Sequence, residues 1–244
     1  MVIPAGGTID GAFSKATGTS IRCLAPISSQ PVLQRVVRVL GATSAISTVV
    51  VAAPAEVHTE IEGVDLWALS AALGTDSIRN GLKSLESWDR VLICTSDLPF
   101  LTSESIMDFI ERSDPKADIS IGLVSAADYN STFPNSPESV YVPLRETGPI
   151  TIGCLFLLSK TGLERIDPWL DRLFNARKNL AQSAMILGPA ILAQLVLKRL
   201  SLSSLRQRGK KLIGLDVDVV VGVSARLAFD IDTLEDYEYA RTHI

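Results

Sequence analysis

The stretch Val91-Leu92-Ile93-Cys94-Thr95-Ser96-Asp97-Leu98-Pro99-Phe100 decides the fold. Its opening run is apolar without alternation, which reads as a strand buried on both faces, and such strands belong to parallel sheets covered by helices on two sides. The run delivers one carboxylate, Asp97, at its carboxyl end, where open α/β sheets gather their ligands. Helix capping does not claim Asp97, because the next helix begins at Thr102 or Ser103, and these residues can cap it themselves. From the sequence alone this carboxylate has no structural partner.

Working outward, residues 2–5, 46–52 and 119–124 repeat the β-branched pattern of residues 91–95, while 31–40 and 103–112 carry helical periodicity. Residues 152–158 read as a further buried strand. Residues 128–138, rich in Asn, Ser and Pro, read as a long surface loop. From 160 to 211 the pattern is helical, broken at Asp167-Pro168 and Gly188-Pro189, where proline suits the first turn of a new helix. Strand character returns at 212–221 and 225–231, before a last helix from Thr233. The expected fold is therefore α/β: a three-layer α/β/α domain with a mostly parallel twisted sheet. One domain spans residues 1–244, with 160–211 a helical insertion near the carboxyl terminus that covers the acceptor side of the cleft or builds a dimer. Monomer and homodimer both stay open. Residues 1–5 leave a short first strand against the usual length of about five to six, so the native start is expected upstream.

Composition narrows the function. The chain has 244 residues, 47% of them hydrophobic, which is enough for a full core. A net charge of −4 argues against a general nucleic-acid binder, so any anion must be held locally. The most apolar stretch, 184–197, is broken by Gly188, Pro189 and Gln194 and is too short to span a bilayer. Cys23, Cys94 and Cys154 form no CxxC pair and suit a reducing cytoplasm. His58 and His243 are too few for a zinc cluster.

Pro4-Ala5-Gly6-Gly7 leaves the first strand, and glycines there let backbone N–H groups approach an anion closely. The Walker pattern fails, since Ala12 stands where lysine is needed, and the dinucleotide fingerprint fails for want of an acidic residue after the second strand. A second acidic cluster is Phe229-Asp230-Ile231-Asp232-Thr233-Leu234-Glu235-Asp236. Thr233 and Asp236 have capping-box spacing, which accounts for Asp236. At strand spacing Asp230 and Asp232 share one face, and magnesium needs only one or two carboxylates with phosphate oxygens and water, so Asp97 with one of this pair suffices. The run 206–211 reads as a solvated helix end. Arg177 and Lys178 are candidates to meet an acceptor phosphate.

In order, Ala5-Gly6-Gly7, Ser77-Ile78-Arg79-Asn80-Gly81-Leu82, Ser96-Asp97-Leu98-Pro99-Phe100-Leu101 and Asp230-Ile231-Asp232-Thr233 resemble the nucleotidyltransferases related to molybdenum-cofactor guanylyltransferase, which have a glycosyltransferase-A-like fold. The resemblance implies that Ala5, Gly6 and Gly7 hold the triphosphate and contact the base, and that Ser77, Asn80 and Gly81 line the nucleotide. It further implies that Asp97 and Asp230 bind magnesium, with manganese as a substitute. Arg22 is the best positional match to the family's lysine, and it keeps the charge while adding a planar fork. Near Gly153, where relatives carry Gly-Gly-Asn, this chain has Ile152-Gly153-Cys154, which touches acceptor recognition. The implied partners are a nucleoside triphosphate and a small phosphorylated acceptor, joined with release of pyrophosphate. A silent nucleotide sensor of the same fold and a dinucleotide-dependent oxidoreductase are the rival readings.

Overall fold

The computed structural model describes residues 1–176, 186 and 188–244. Its strands are β1 (Val2–Pro4), β2 (Pro26–Ile27), β3 (Gln30–Pro31), β4 (Val50–Ala53), β5 (Leu66–Leu69), β6 (Arg90–Cys94), β7 (Ile119–Ser125), β8 (Val142–Leu144), β9 (Gly148–Ser159) and β10 (Val217–Val221). Its helices are α1 (Gly11–Thr17), α2 (Val32–Gly41), α3 (Gly74–Lys83), α4 (Ser103–Arg112), α5 (Ala126–Thr132), α6 (Lys160–Ala176), α7 (Pro189–Val196), α8 (Leu202–Ile213) and α9 (Leu234–His243).

The main sheet runs β5-β4-β1-β6-β9-β7-β10, with β8 also on β9, and β2 and β3 form a separate hairpin. β9 is antiparallel to β6, β7 and β8, whereas the remaining main-sheet pairs are parallel. Strand alternation sorts the two faces. Ile3, Val51, Leu92 and Cys94 pack with α2 and α4, while Val2, Val50, Val91 and Ile93 pack with Ile78 of α3 and Ile166 of α6. Each fully buried aliphatic side chain of this kind stabilises the fold by roughly 1.5–3 kcal/mol. The chain steps from β1 outward to β4 and β5, then returns to β6 on the other side of β1. This reversal opens a crevice at the carboxyl ends of β1 and β6.

Helix ends follow local chemistry. Thr102 and Ser105 form a capping box on α4, Thr233 and Asp236 form another on α9, and Pro189 occupies the first turn of α7. The run 206–211 lies in the second half of α8, exposed apart from half-buried Arg208 and Gly209, and Lys210 pairs with Asp216.

Five expectations change. Residues 46–52 are strand only from Val50, and that strand runs on to Ala53. Residues 128–138 are not loop throughout, because α5 occupies Ala126–Thr132, capped by Ser125 accepting from the Asp128 backbone. Buried Tyr129 gives this short helix its hold on the core. Residues 212–221 are strand only from Val217, because α8 runs on to Ile213. Residues 225–231 are a 3-10 turn at Ala225–Leu227 followed by a segment outside the ladder. Its alternation survives all the same: Phe229 and Ile231 are buried, and Ile231 N donates to Asp97 O at 3.1 Å. Finally, α6 continues through Pro168 rather than restarting there, forgoing one backbone hydrogen bond on a partly exposed helix.

The helical region packs on the sheet. Ile166 joins the second core, and Ile191 and Leu200 form a third cluster with Leu123, Leu144 and Ile150. Arg177 and Lys178 lie outside the described residues. Among the described residues no helix is long and apolar enough to cross a membrane.

Candidate active site

The turn after β1 is pinned from behind. Ala5 N donates to Ala52 O at 2.8 Å, and Cys23 Sγ donates to Ala5 O at 3.4 Å. Ala5 thereby shapes the turn with both of its backbone groups. At Gly6 a Cβ would fall 2.7 Å from Ser70 Cβ, so only glycine lets the turn pass the loop that follows β5. Among the described residues neither Gly6 nor Gly7 donates a backbone hydrogen bond. Such N–H groups at the edge of a crevice suit an anion. The excursion from Thr8 closes on itself through a Thr8–Ile21 bridge, and Arg22 N donates to Gly7 O at 2.9 Å. The chain thus returns Arg22 to the glycine turn it left.

Arg22 then reaches across the crevice. Its Nη1 donates to Asp232 Oδ1 at 2.6 Å and to Asp97 Oδ2 at 3.4 Å. Asp97, which the sequence leaves without a partner, has a distant one. Asp97 is 6% exposed, and its Oδ1 and the Arg22 Nε are buried without a hydrogen-bond partner among the described residues. Buried polar atoms in native proteins are almost always paired, so these two leave donor and acceptor capacity beside the ion pair, where the Thr95 hydroxyl also acts on the Asp97 carboxyl. Burial pushes the Asp97 carboxyl above its ordinary range, Arg22 pulls it back, and Asp232 pushes it up again. Burial also works against the charge on Arg22, but Asp97 and Asp232 outweigh it and hold the guanidinium above its usual value.

Asp230 and Asp232 flank Ile231, yet it is Asp232 that meets Arg22. The field of Asp230 is felt by Tyr129 and Cys154, both raised first by burial and then by that carboxylate. Sequence reasoning did not single out the Asp232–Arg22 contact, which joins residues 210 positions apart.

Ser77, Asn80 and Gly81 form the wall beside Gly6. Ser77 Oγ accepts from Ala71 N at 2.9 Å, and Asn80 Nδ2 donates to Leu69 O at 3.0 Å, so both hold the loop that carries Ser70. A Cβ on Gly81 would fall 2.5 Å from Val2 Cγ1, so this glycine sets how closely α3 lies on β1. On the opposite wall, β6 pairs with β9 from Leu155 to Ser159 and β8 pairs with it from Gly148 to Ile150. Gly153 and Cys154 lie between these two pairings, beside Ile152, which is 48% exposed. Cys23, Cys94 and Cys154 are far apart in sequence but all lie in the field of Asp97. Burial and then that carboxylate raise Cys23 to about 12, Cys94 is raised by the same two causes, and Cys154 is raised by burial, then Asp230 and Asp97.

A glycine turn, an arginine and a carboxylate pair thus meet at the sheet's reversal point, where open α/β sheets gather their ligands. The sequence model of the MobA-like NTP transferase domain matches residues 1–199. The chain belongs to this family. The match covers the glycine turn, Arg22 and Asp97, and it ends before the segment that carries Asp230 and Asp232. No curated protein matches the chain. Among solved structures, a hypothetical transferase from Thermus thermophilus is similar over 97% of both chains, at 26% identity and a TM-score of 0.82. A CMP:2-keto-3-deoxy-manno-octonic acid synthetase complexed with CTP is similar over 99% of this chain and 95% of its own, at 16% identity and a TM-score of 0.66. A 2-C-methyl-D-erythritol 4-phosphate cytidylyltransferase, also from Thermus thermophilus, is similar over 99% of this chain and 96% of its own, at 14% identity and a TM-score of 0.54. The last two share the fold with this MobA-like domain. Membership of the NTP transferase family supports nucleotidyltransferase activity in general.

Proposed function

We propose that this MobA-like domain transfers a nucleoside monophosphate from a nucleoside triphosphate to a small phosphate-bearing acceptor and releases pyrophosphate. The observation that carries the reading is Arg22, held at the glycine turn and bridging Asp97 and Asp232 across the crevice. Triphosphate transfer calls for N–H donors and a cation for the phosphates, and for carboxylates to hold a metal.

The donor set fits magnesium. Among the described residues no group of three His, Cys, Asp or Glu side chains surrounds a cation position, but magnesium is usually held by one or two carboxylates completed by substrate phosphates and water. Asp97 and one member of the Asp230/Asp232 pair would hold it, and manganese would substitute. Asp97 Oδ1, buried and unpaired, supports the fit. When bound, the metal would offset charge on the triphosphate and favour departure of pyrophosphate.

The chain's own groups do the positioning. The Gly6 and Gly7 N–H groups hold phosphate oxygens, and Arg22 neutralises charge that builds up on them. Ser77 and Asn80 fix the loop that forms the nucleotide wall. The acceptor enters beside Ile152 and Gly153, and its phosphate oxygen attacks the α-phosphorus. A bond forms between them as the bond from the α-phosphorus to the bridging oxygen breaks, and that oxygen leaves with pyrophosphate. Orientation and charge stabilisation supply most of the rate in such transfers. The test is pyrophosphate release from each of the four ribonucleoside triphosphates with magnesium and a pool of sugar phosphates, phospho-acids and pterin phosphates. Release that needs triphosphate, metal and acceptor together supports the reading, and saturable triphosphate binding without release in any combination rejects it.

A further inference from the structure

We propose that Arg22 is the resident counter-cation of the carboxylate pair in the nucleotide-free enzyme, and that it cedes this position to a divalent metal when a triphosphate takes over its guanidinium. This inference rests on the metal-dependent reading above and adds a coupling to it.

The contacts argue for an exchange. Arg22 Nη1 lies on Asp232 Oδ1 and Asp97 Oδ2 at 2.6 and 3.4 Å, so it is the cation that these two carboxylates already share. Two cations cannot hold the same pair of oxygens without strong repulsion at that range. The hold is also incomplete, since Arg22 Nε and Asp97 Oδ1 are both buried without partners. The unused donor lies on the glycine-turn side: a Cβ built on Gly7 would be 3.7 Å from Arg22 Nε. Arg22 N stays bonded to Gly7 O, so the guanidinium can turn toward phosphates in the glycine turn while its backbone remains fixed. A structural arginine of the same chain looks different. Arg79 commits Nε, Nη1 and Nη2 to Asp167, Asp76, Asp171 and the Asp167 carbonyl.

The consequence is that metal and nucleotide bind with positive coupling. Metal alone must displace the arginine, whereas metal with triphosphate finds it already re-employed, and by linkage each ligand helps the other equally.

The experiment titrates nucleotide-free protein with Mn2+ and follows free ion by electron paramagnetic resonance. R22M, which keeps the length but loses the charge, is expected to bind Mn2+ about tenfold tighter than the parent chain or better, and its melting temperature is expected to rise more with Mn2+ than the parent's does. The gain is expected to vanish in the double variant R22M/D97N. If R22M binds Mn2+ no tighter than the parent while D97N in the parent chain still lowers metal-dependent pyrophosphate release, the exchange is wrong and the metal reading stands. If the gain persists in R22M/D97N, the ion binds elsewhere and the metal reading itself fails. Should R22M not fold, R22K serves in its place. Its ammonium is too short to span both carboxylates as the guanidinium does, so an intermediate gain supports the exchange, and parental affinity overturns it.

Discussion

Two arginines of this chain do the same thing with opposite meaning. Arg79 gathers Asp76, Asp167 and Asp171, whose side chains are 46–48% exposed, and so straps α3 to α6. Its guanidinium is raised above the usual value, first by the Asp167 hydrogen bond. Arg22 gathers Asp97 and Asp232 in a crevice where Asp97 is 8% exposed at its side chain. All three nitrogens of Arg79 are employed, whereas Arg22 leaves Nε unused and Asp97 leaves Oδ1 unused. A surface strut is satisfied and worth little individually, because solvent screens it. A buried, partly satisfied pair is poised for a ligand. On the proposed reading, what separates these two arginines is the accounting of donors and acceptors, not the residue types.

The comparison breaks most visibly at Asp97. D97N keeps the size of the side chain and removes its charge, so pyrophosphate release should fall a hundredfold or more, roughly 3 kcal/mol of transition-state stabilisation. The fold should survive in the absence of ligand, since Arg22 keeps its 2.6 Å partner Asp232. Parental turnover in D97N would place this carboxylate outside the chemistry.

A sharper test sets Asp232 against Asp230. If the contact with Arg22 marks the working carboxylate, D232N should lower metal-dependent turnover at least tenfold more than D230N, on the scale of about 1.4 kcal/mol. Matched kcat measurements decide it, and the reverse order would assign the metal to Asp230.

On the structural side, R79Q should lower stability by about 1 kcal/mol after screening and leave kcat unchanged. D236N should weaken the α9 cap by a similar amount, about 1 kcal/mol, with activity kept. Denaturant melts alongside turnover assays check both, and loss of turnover in a folded R79Q protein would move Arg79 out of the strut class.

The smallest effect is in the thiols. Cys23, raised from its ordinary 9.0 to about 12, keeps its proton in the folded state at pH values where the unfolded chain has lost it. The folded state then binds more protons than the unfolded one, so stability falls as pH rises from about 9 towards 12. C23A should flatten that slope in urea melts at pH 8 and pH 10, and an unchanged slope would assign it to other groups.

Much of this was legible in the chain. The apolar run 91–94 required a strand buried on both faces, and Asp97 at its carboxyl end followed from that. The cap at Thr102 and the capping box at Thr233 were readable because they are local, each closed within three residues. Non-local geometry was not readable. Gly81 fits because Val2 lies beneath it, and Ser77 accepts from Ala71 N on a loop whose position the sequence does not give. Pro168 reads as a break because its missing N–H is a local signal, while the contacts that carry α6 across it, Ile166 in the second core and Asp167 on Arg79, come from elsewhere in the chain.

The sequence by itself determined the layers, the parallel character of the sheet and the candidate groups, because hydrophobic periodicity, caps and turn residues act over a few positions. Only the tertiary structure decided who meets whom. Arg22 and Asp232 are separated by 210 positions, and they become neighbours because the strand order reverses between β1 and β6 and the segment after Ala225–Leu227 bonds to Asp97, just past β6. A pairing of that range carries no local signature, since its energy comes from burial and charge that exist only once the sheet has closed around it.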